Sequence, residues 1–574
     1  MKKKYYIATT WDKWRIYKIE KDDIHLIFDG DQKNAEDILV TQILPEIKEL
    51  KIPPLPENIE ALYKLDHEKF LEDLKKAFRI VKDDSKIKPL YEAYKSIIKY
   101  IYGEASEDFF EDLFLRHTFM QIAVIASLTA ALGKTGSVED VCSGSLIGVE
   151  VALPYLNWWK LALFDKNTQT LIENVLKEIV GRANLVNWSY ETAEDAFRML
   201  YEFLVEPKVR RQLGEYYTPI WLVEMIIKEF DLTKKVVLDP FCGSGTFLIK
   251  SFHEKVEKGE SPDEALNEVV GFDINPLAVS VARAELLLAY RRVSGKEPVE
   301  PPYIYHADTL GTWFGKYVFP AMGLYELAKK ASAYMDTLIN LKQINIGDAS
   351  NILATLKKLE KNLTYAIRFA HNECRLEEKC LEEKIARYLE QGLGGSTDSF
   401  AARFLEHFKT ENVAGVIAKL LVTHGGNDVW AVVFMSIYAP ILMTGFKASI
   451  IVTNPPWIPV YEYKAPYSEK IRNYMKDGIM SCIGDKAAQV LAGADIASAS
   501  LVKSIEYASD GVGYIMNREQ LFNHSSSVPG GIIATYCLLE KALKNSNSKV
   551  KLYDFDFDVF QHGMPPAVVI VKKG

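Results

Sequence analysis

Asn454-Pro455-Pro456-Trp457 directly follows the apolar, β-branched run ASIIVT. The Asn454 side-chain carbonyl and the Pro455 backbone carbonyl are two acceptors placed to hold one amino group. Pro456 brings no N–H to compete and restricts the residue before it. Trp457 adds a flat face on which a base can stack. Together they would hold an aromatic amine, favour tetrahedral character at its nitrogen and prepare it to attack an electrophilic methyl group. That chemistry needs no metal and no covalent intermediate, because rate comes from orientation and the hydrogen-bond field. The alternative is a structural turn with Trp457 filling the core.

A second constellation lies upstream. The strand-like VVL runs into Asp239-Pro240-Phe241-Cys242-Gly243-Ser244-Gly245-Thr246. Gly243 and Gly245 permit close approach of backbone to a ligand, and a helix starting near Thr246 offers free N–H groups. No Lys-Ser/Thr follows the glycines, so the turn is not a P-loop, and it does not match GxGxxG. A second apolar strand ends at Asp273-Ile274-Asn275, where an acid can accept from a ribose diol. A third, IYHAD, ends at Asp308, followed by Thr309 and Leu310, where a carboxylate can accept from the amino group of an adenine ring. A turn, a diol acceptor and a ring reader in chain order describe a nucleoside-cofactor site.

The elements that must position these residues alternate strand and helix from about 206, as in an α/β fold with a parallel sheet. Residues 1–35 read as a small strand-rich unit and 36–205 as a helical domain. Residues 206–310 form the cofactor-binding half of the sheet, 311–427 a charged helical insertion, and 428–574 the acceptor half. The uncharged run from Val429 to Phe446 approaches membrane-spanning length, but Pro440 and its polar residues favour a buried helix and a turn.

The motifs from Asp239 to Gly245 and from Gly271 to Asn275, with Asp308 and Asn454 to Trp457, resemble the adenine-N6 branch of the amino-methylating DNA methyltransferases, of restriction-modification type. The acceptor motif of that family most often ends in Tyr; here it ends in Trp457. The resemblance covers about 195–310 and 428–574. It implies a Rossmann-like, mixed seven-stranded sheet and S-adenosyl-L-methionine as cofactor. It places Tyr217, Thr218 and Pro219, with Pro240, Phe241, Thr246, Ile274 and Leu310, around that cofactor, and Phe560 beside a flipped base. Residues 7–19 resemble the strand unit that follows the nuclease domain in fused restriction-modification enzymes. Glu46 and Lys48, with Asp37 upstream, have nuclease-like spacing but read as surface charges.

The resemblance also implies double-stranded DNA as substrate. In this motif order a recognition segment commonly follows the last strand, where this sequence stops; recognition is expected from a separate specificity subunit or from the helical insertion, unless the chain is a truncated product, and the partners implied include a nuclease or helicase. Related motifs serve methyltransferases acting on RNA or on protein glutamine, and a non-catalytic cofactor-binding scaffold is the remaining alternative. The net charge of -8 argues against strong non-specific nucleic-acid affinity of the chain alone. Arg210, Arg211, Arg291 and Arg292 are candidate phosphate contacts. The opening lacks a signal peptide's apolar core. The six scattered cysteines read as reduced thiols, with no metal cluster, consistent with a cytoplasmic protein and no membrane partner.

Overall fold

The computed structural model describes residues 5–10, 12–20, 23–38, 51–149, 151–189, 196–198, 200–201, 218–297, 299–315, 327, 330–331, 333–334, 349–394, 400–424, 429–443, 447–522, 530–544, 546–557, 559–560 and 565–574. Tyr217, Arg210, Arg211, Glu46 and Lys48 lie outside the described residues, as does the Asp37 side chain. There are two compact units, Met1–Pro53 with Asn184–Asn187, and the remainder.

In the first unit, aromatic and β-branched runs form β1 (Tyr5–Thr9), β2 (Trp14–Glu20) and β3 (Asp23–Gly30), paired antiparallel in that order. Ile16 and Ala35 are fully buried, Ala35 lying on the helix Gln32–Ile38. The unit extends beyond the boundary at 35 read from sequence. Ile52 is tied to the segment near Val186 by backbone bonds of 2.8 Å to Leu185 and 2.7 Å from Asn187.

The second unit holds β4 (Val237–Asp239), β5 (Val269–Asp273), β6 (Tyr303–His306), β7 (Ala448–Thr453), β8 (Ala508–Asn517), β9 (Lys549–Asp554) and β10 (Pro566–Lys572). Their order is β6-β5-β4-β7-β8-β10-β9. β10 is antiparallel to both neighbours, and the other pairings are parallel. This is the mixed seven-stranded, Rossmann-like sheet expected from the sequence. β4, β5 and β6 are buried throughout, which is why they read as unbroken apolar runs rather than alternating ones.

The chain runs outward from β4 to β6, then returns to β7 on the other side of β4. The order therefore reverses between β4 and β7, the position at which open α/β sheets place their ligand crevice. Helices Thr246–Glu257 and Pro276–Ser294 follow β4 and β5. Asn275 caps the second, accepting from the Leu277 N–H at 3.0 Å, and Pro276 occupies the first turn.

Between β6 and β7 lie helices Ala349–Cys374, Glu378–Leu393, Phe400–Thr410 and Val413–His424. Arg283, on the helix after β5, pairs with Glu360 of this region at 3.0 Å, both largely buried. The apolar run before β7 is the helix Val429–Met443, with Trp430, Phe434, Ile437 and Tyr438 fully buried. Among the described residues one helix, Glu107–Ala131, is long and apolar enough to cross a membrane, and 89% of its apolar window is buried inside the protein. The sequence reading had not singled it out.

The reading of all six cysteines as reduced thiols is corrected. Cys374 pairs with Cys380 and Cys482 with Cys537, while Cys142 and Cys242 are free and buried. Arg375 and Leu376 take positive φ after the helix Ala349–Cys374, turning the chain back so that the first pair's Cα atoms lie 5.5 Å apart. The second pair joins helices Ser468–Ile483 and Gly530–Leu543. Neither spacing resembles CxxC, so chain order held no signal.

Candidate active site

The first turn is built at the end of β4. Asp239 is 1% exposed. Its carboxyl accepts from the Phe241 N–H at 3.1 Å and from the Thr453 hydroxyl at 2.5 Å. Burial pushes this carboxyl up to about 8. The Thr453 contact matters, because Thr453 immediately precedes Asn454: one acid ties the glycine-rich turn to the Asn454–Trp457 motif. Pro240 is buried, and its carbonyl accepts from the Thr309 hydroxyl at 2.8 Å.

Gly243 has φ +52, with open space where a Cβ would stand. Gly245 has φ +94 and would place a Cβ 3.0 Å from that of Ala282. It is the residue before Thr246, where the helix begins. The turn is thus open at Gly243 and tightly packed at Gly245.

Asp273, at the end of β5, reaches across to this turn. Its two oxygens accept from the backbone N–H groups of Gly243 and Asn275, each at 2.8 Å. Burial pushes the carboxyl up to about 6, and those two N–H groups oppose the rise. Ile274 is partly exposed, and its carbonyl is 2.9 Å from the His306 ring nitrogen Nε2.

Asp308, just past β6, is 2% exposed. It accepts from the Gly311 N–H at 2.8 Å, the Tyr467 hydroxyl at 2.8 Å and the Tyr100 hydroxyl at 2.7 Å. Leu310 packs with Val460, Tyr467 and Ile471, and Phe241 borders the same cluster.

Asn454 follows β7 and is partly exposed, whereas Pro455 and Trp457 are buried. The Asn454 side-chain amide donates to the Thr218 hydroxyl oxygen at 3.1 Å. Thr218 is 8% exposed and, with Pro219, leads into the helix Ile220–Ile227. Phe560 meets Trp457 edge to face, with ring centroids 5.1 Å apart and planes at 88°. The two rings are therefore not a parallel sandwich. Arg291 and Arg292 lie in the last turn of the helix Pro276–Ser294, away from its β5-proximal start, and Arg291 pairs with Glu297 at 3.5 Å.

Asp239, Gly243, Gly245, Asp273, Asp308 and Asn454 thus stand along the carboxyl edge of four neighbouring parallel strands. Sequence reading missed Thr453, Tyr100 and Tyr467. Thr453 adjoins the quoted motif, and its hydroxyl beside a buried acid could have been suspected. Tyr100 and Tyr467 carry no local signal.

Residues 192–313 match the family model described as N-6 DNA Methylase. Among curated proteins, the type I restriction enzyme MjaVII methylase subunit of Methanocaldococcus jannaschii is 36% identical over 83 residues, 14% of each chain. The adenine-specific methyltransferase PglX of Streptomyces coelicolor is 32% identical over 116 residues, 18% of this chain and 9% of that one. The matched stretches therefore span well under a fifth of either relative's length. A cryo-electron microscopy structure of a DrdV–DNA complex aligns over 98% of this chain and 46% of that one, at 13% identity and a TM-score of 0.48. The stretch that matches the N-6 DNA methylase model, residues 192–313, contains the glycine-rich turn and both downstream acids.

Proposed function

We propose that this chain is the catalytic subunit of a site-specific DNA adenine-N6 methyltransferase of restriction-modification type. Its cofactor is S-adenosyl-L-methionine and its substrate double-stranded DNA. The observation that carries this reading is the adjacency of β4 and β7. It sets an amine-accepting Asn454-Pro455-Pro456-Trp457 beside an open glycine turn, with both ends tied through Asp239 and Thr453.

The residues present fit the cofactor. Backbone at Gly243 is open to a ligand, and the Asp273 and Asp308 carboxylates stand at successive strand ends as acceptors for a ribose diol and an adenine amine. The free space at Gly243 and the helix beginning at Thr246 suit the amino-acid portion, beside Thr218 and Pro219. When bound, S-adenosyl-L-methionine supplies an electrophilic methyl group.

The chain's own part is orientation. An adenine extruded from the duplex presents its N6 amine to the Asn454 carbonyl and the Pro455 carbonyl. Accepting both N6 protons turns the nitrogen lone pair away from these acceptors and toward the methyl donor. Trp457 lies against the purine ring, and Phe560 buttresses Trp457 from its edge. Thr218 holds the Asn454 amide nitrogen and so keeps its carbonyl turned to the base.

DNA recognition is assigned to a separate specificity subunit, in keeping with the methylase-subunit relatives. The test is transfer of a labelled methyl group from S-adenosyl-L-methionine to duplex DNA, RNA and protein, with and without the proteins encoded beside this chain. Label in duplex DNA alone is expected. Label in RNA or protein instead would move the substrate assignment.

A further inference from the structure

Asp308 is held by donors from two segments outside the matched family region. Tyr100 stands in the last turn of the helix Lys88–Tyr102, 208 residues upstream; Tyr467 lies 159 residues downstream, in the loop after Trp457. Each phenol has one proton. Tyr467 spends its proton on Asp308, so the Tyr463 hydroxyl, 2.5 Å from that of Tyr467, must donate to Tyr467. The result is a directed chain from Tyr463 through Tyr467 to Asp308, closed from the other side by Tyr100. Burial pushes the phenols of Tyr100, Tyr463 and Tyr467 up, so they remain donors at any working pH.

A carboxylate offers about four acceptor positions. Tyr100, Tyr467 and the Gly311 N–H donate to it, the Leu310 N–H also faces it, and together they fix the carboxyl plane. We infer that Tyr100 and Tyr467 are positioning residues of the cofactor site, orienting Asp308 so that it accepts from a 6-amino purine nucleoside in preference to a 6-oxo one. The inference rests on reading the strand ends as an adenosine-cofactor site. A 6-amino group donates to the carboxylate, whereas a 6-oxo group faces it with a second acceptor. A misoriented carboxylate loses this discrimination without losing the ribose contact at Asp273. The N-terminal helices thereby become part of the cofactor site.

The experiment is calorimetric titration of the full-length protein with S-adenosylhomocysteine and its inosine counterpart. The wild type is expected to prefer the adenosine form by roughly tenfold or more. Tyr100→Phe and Tyr467→Phe should each cut that preference severalfold, chiefly by weakening the adenosine form. An equal loss for both ligands, or an unchanged preference, overturns the inference and leaves the cofactor reading standing. A wild type that binds neither ligand overturns the cofactor reading and the inference with it. Because Tyr467 is 1% exposed and Tyr100 only partly buried, Tyr100→Phe decides the matter if Tyr467→Phe does not fold.

Discussion

Asn454 and Thr218 are joined by a 3.1 Å hydrogen bond across 236 positions of sequence, from the Asn454 amide nitrogen to the Thr218 hydroxyl oxygen. An amide so held turns its carbonyl to the opposite side, the side that the proposed function gives to the incoming base.

Thr218→Ala is expected to lower kcat by roughly fivefold, the worth of one ordinary hydrogen bond, through loss of amide orientation. Thr218→Ser keeps the hydroxyl and should recover most of the rate. Steady-state kinetics on duplex DNA checks this. Equal defects in the two variants would mean that the Thr218 methyl, not its hydroxyl, is what counts.

Removing the acceptor itself has a larger effect. Asn454→Ala should slow methyl transfer by on the order of 10²–10³-fold, as for loss of a preorganised hydrogen-bonding group. S-adenosylhomocysteine affinity should stay near wild type, because the proposed role of Asn454 is toward the base and not the cofactor. Single-turnover rates and calorimetry separate the two effects.

Cofactor affinity should depend on pH through Asp273. Its carboxyl, pushed up to about 6, is ionised at neutral pH and protonates as pH falls through that value. A protonated acid loses acceptor capacity toward a ribose diol, so affinity should weaken below about 6 and level off above it. In Asp273→Asn, binding should be weak and that dependence gone. Titrations from pH 5 to pH 8 test this.

The stability of the ligand-free protein should run the opposite way with pH. Asp239 is pushed up to about 8 and Asp495 to about 7, both by burial, from an ordinary value of 3.8. Between the unfolded and folded values the native state holds a proton that the unfolded chain has released. Stability from these groups is therefore full below the ordinary value and is lost as pH rises through the folded one, at no more than about 1.4 kcal/mol per group per pH unit. Thermal unfolding should show a lower midpoint at pH 8 than at pH 6, and Asp239→Asn should flatten the slope.

Gly271 and Gly243 separate packing from conformation. A Cβ at Gly271 would stand 2.5 Å from Leu248 Cδ1 and 3.1 Å from the Cys242 sulfur, so Gly271→Ala should cost about 1–3 kcal/mol by overpacking beneath the turn. Gly243→Ala meets no neighbour and bears only the strain of φ +52, about 1–2 kcal/mol. Its larger effect should fall on cofactor binding. Denaturant melts and titrations of both variants distinguish these outcomes.

The sheet was legible because buried parallel strands write themselves as continuous apolar runs. VVLD, VVGFD and IIVT each stop at a polar residue where the strand meets the crevice. The strand-end residues could therefore be named from local pattern alone. The contacts that hold them could not. Thr453 reaches Asp239 across 214 positions and Tyr100 reaches Asp308 across 208; Thr453 at least adjoins the Asn454 motif, but nothing local sets Tyr100 apart from any other Tyr. The cysteine pairs escaped for the same reason: Cys482 and Cys537 meet only because two helices pack side by side. The perpendicular setting of Phe560 on Trp457 is likewise a product of tertiary packing.

The most direct measurement is nucleoside mass spectrometry of duplex DNA after incubation with S-adenosyl-L-methionine, the full-length protein and the proteins encoded beside it, with Asn454→Ala run in parallel. N6-methyldeoxyadenosine is expected with the wild type and only background with the variant. Absence of N6-methyldeoxyadenosine from a wild type that binds the cofactor, or equal product from the variant, would contradict the proposed function.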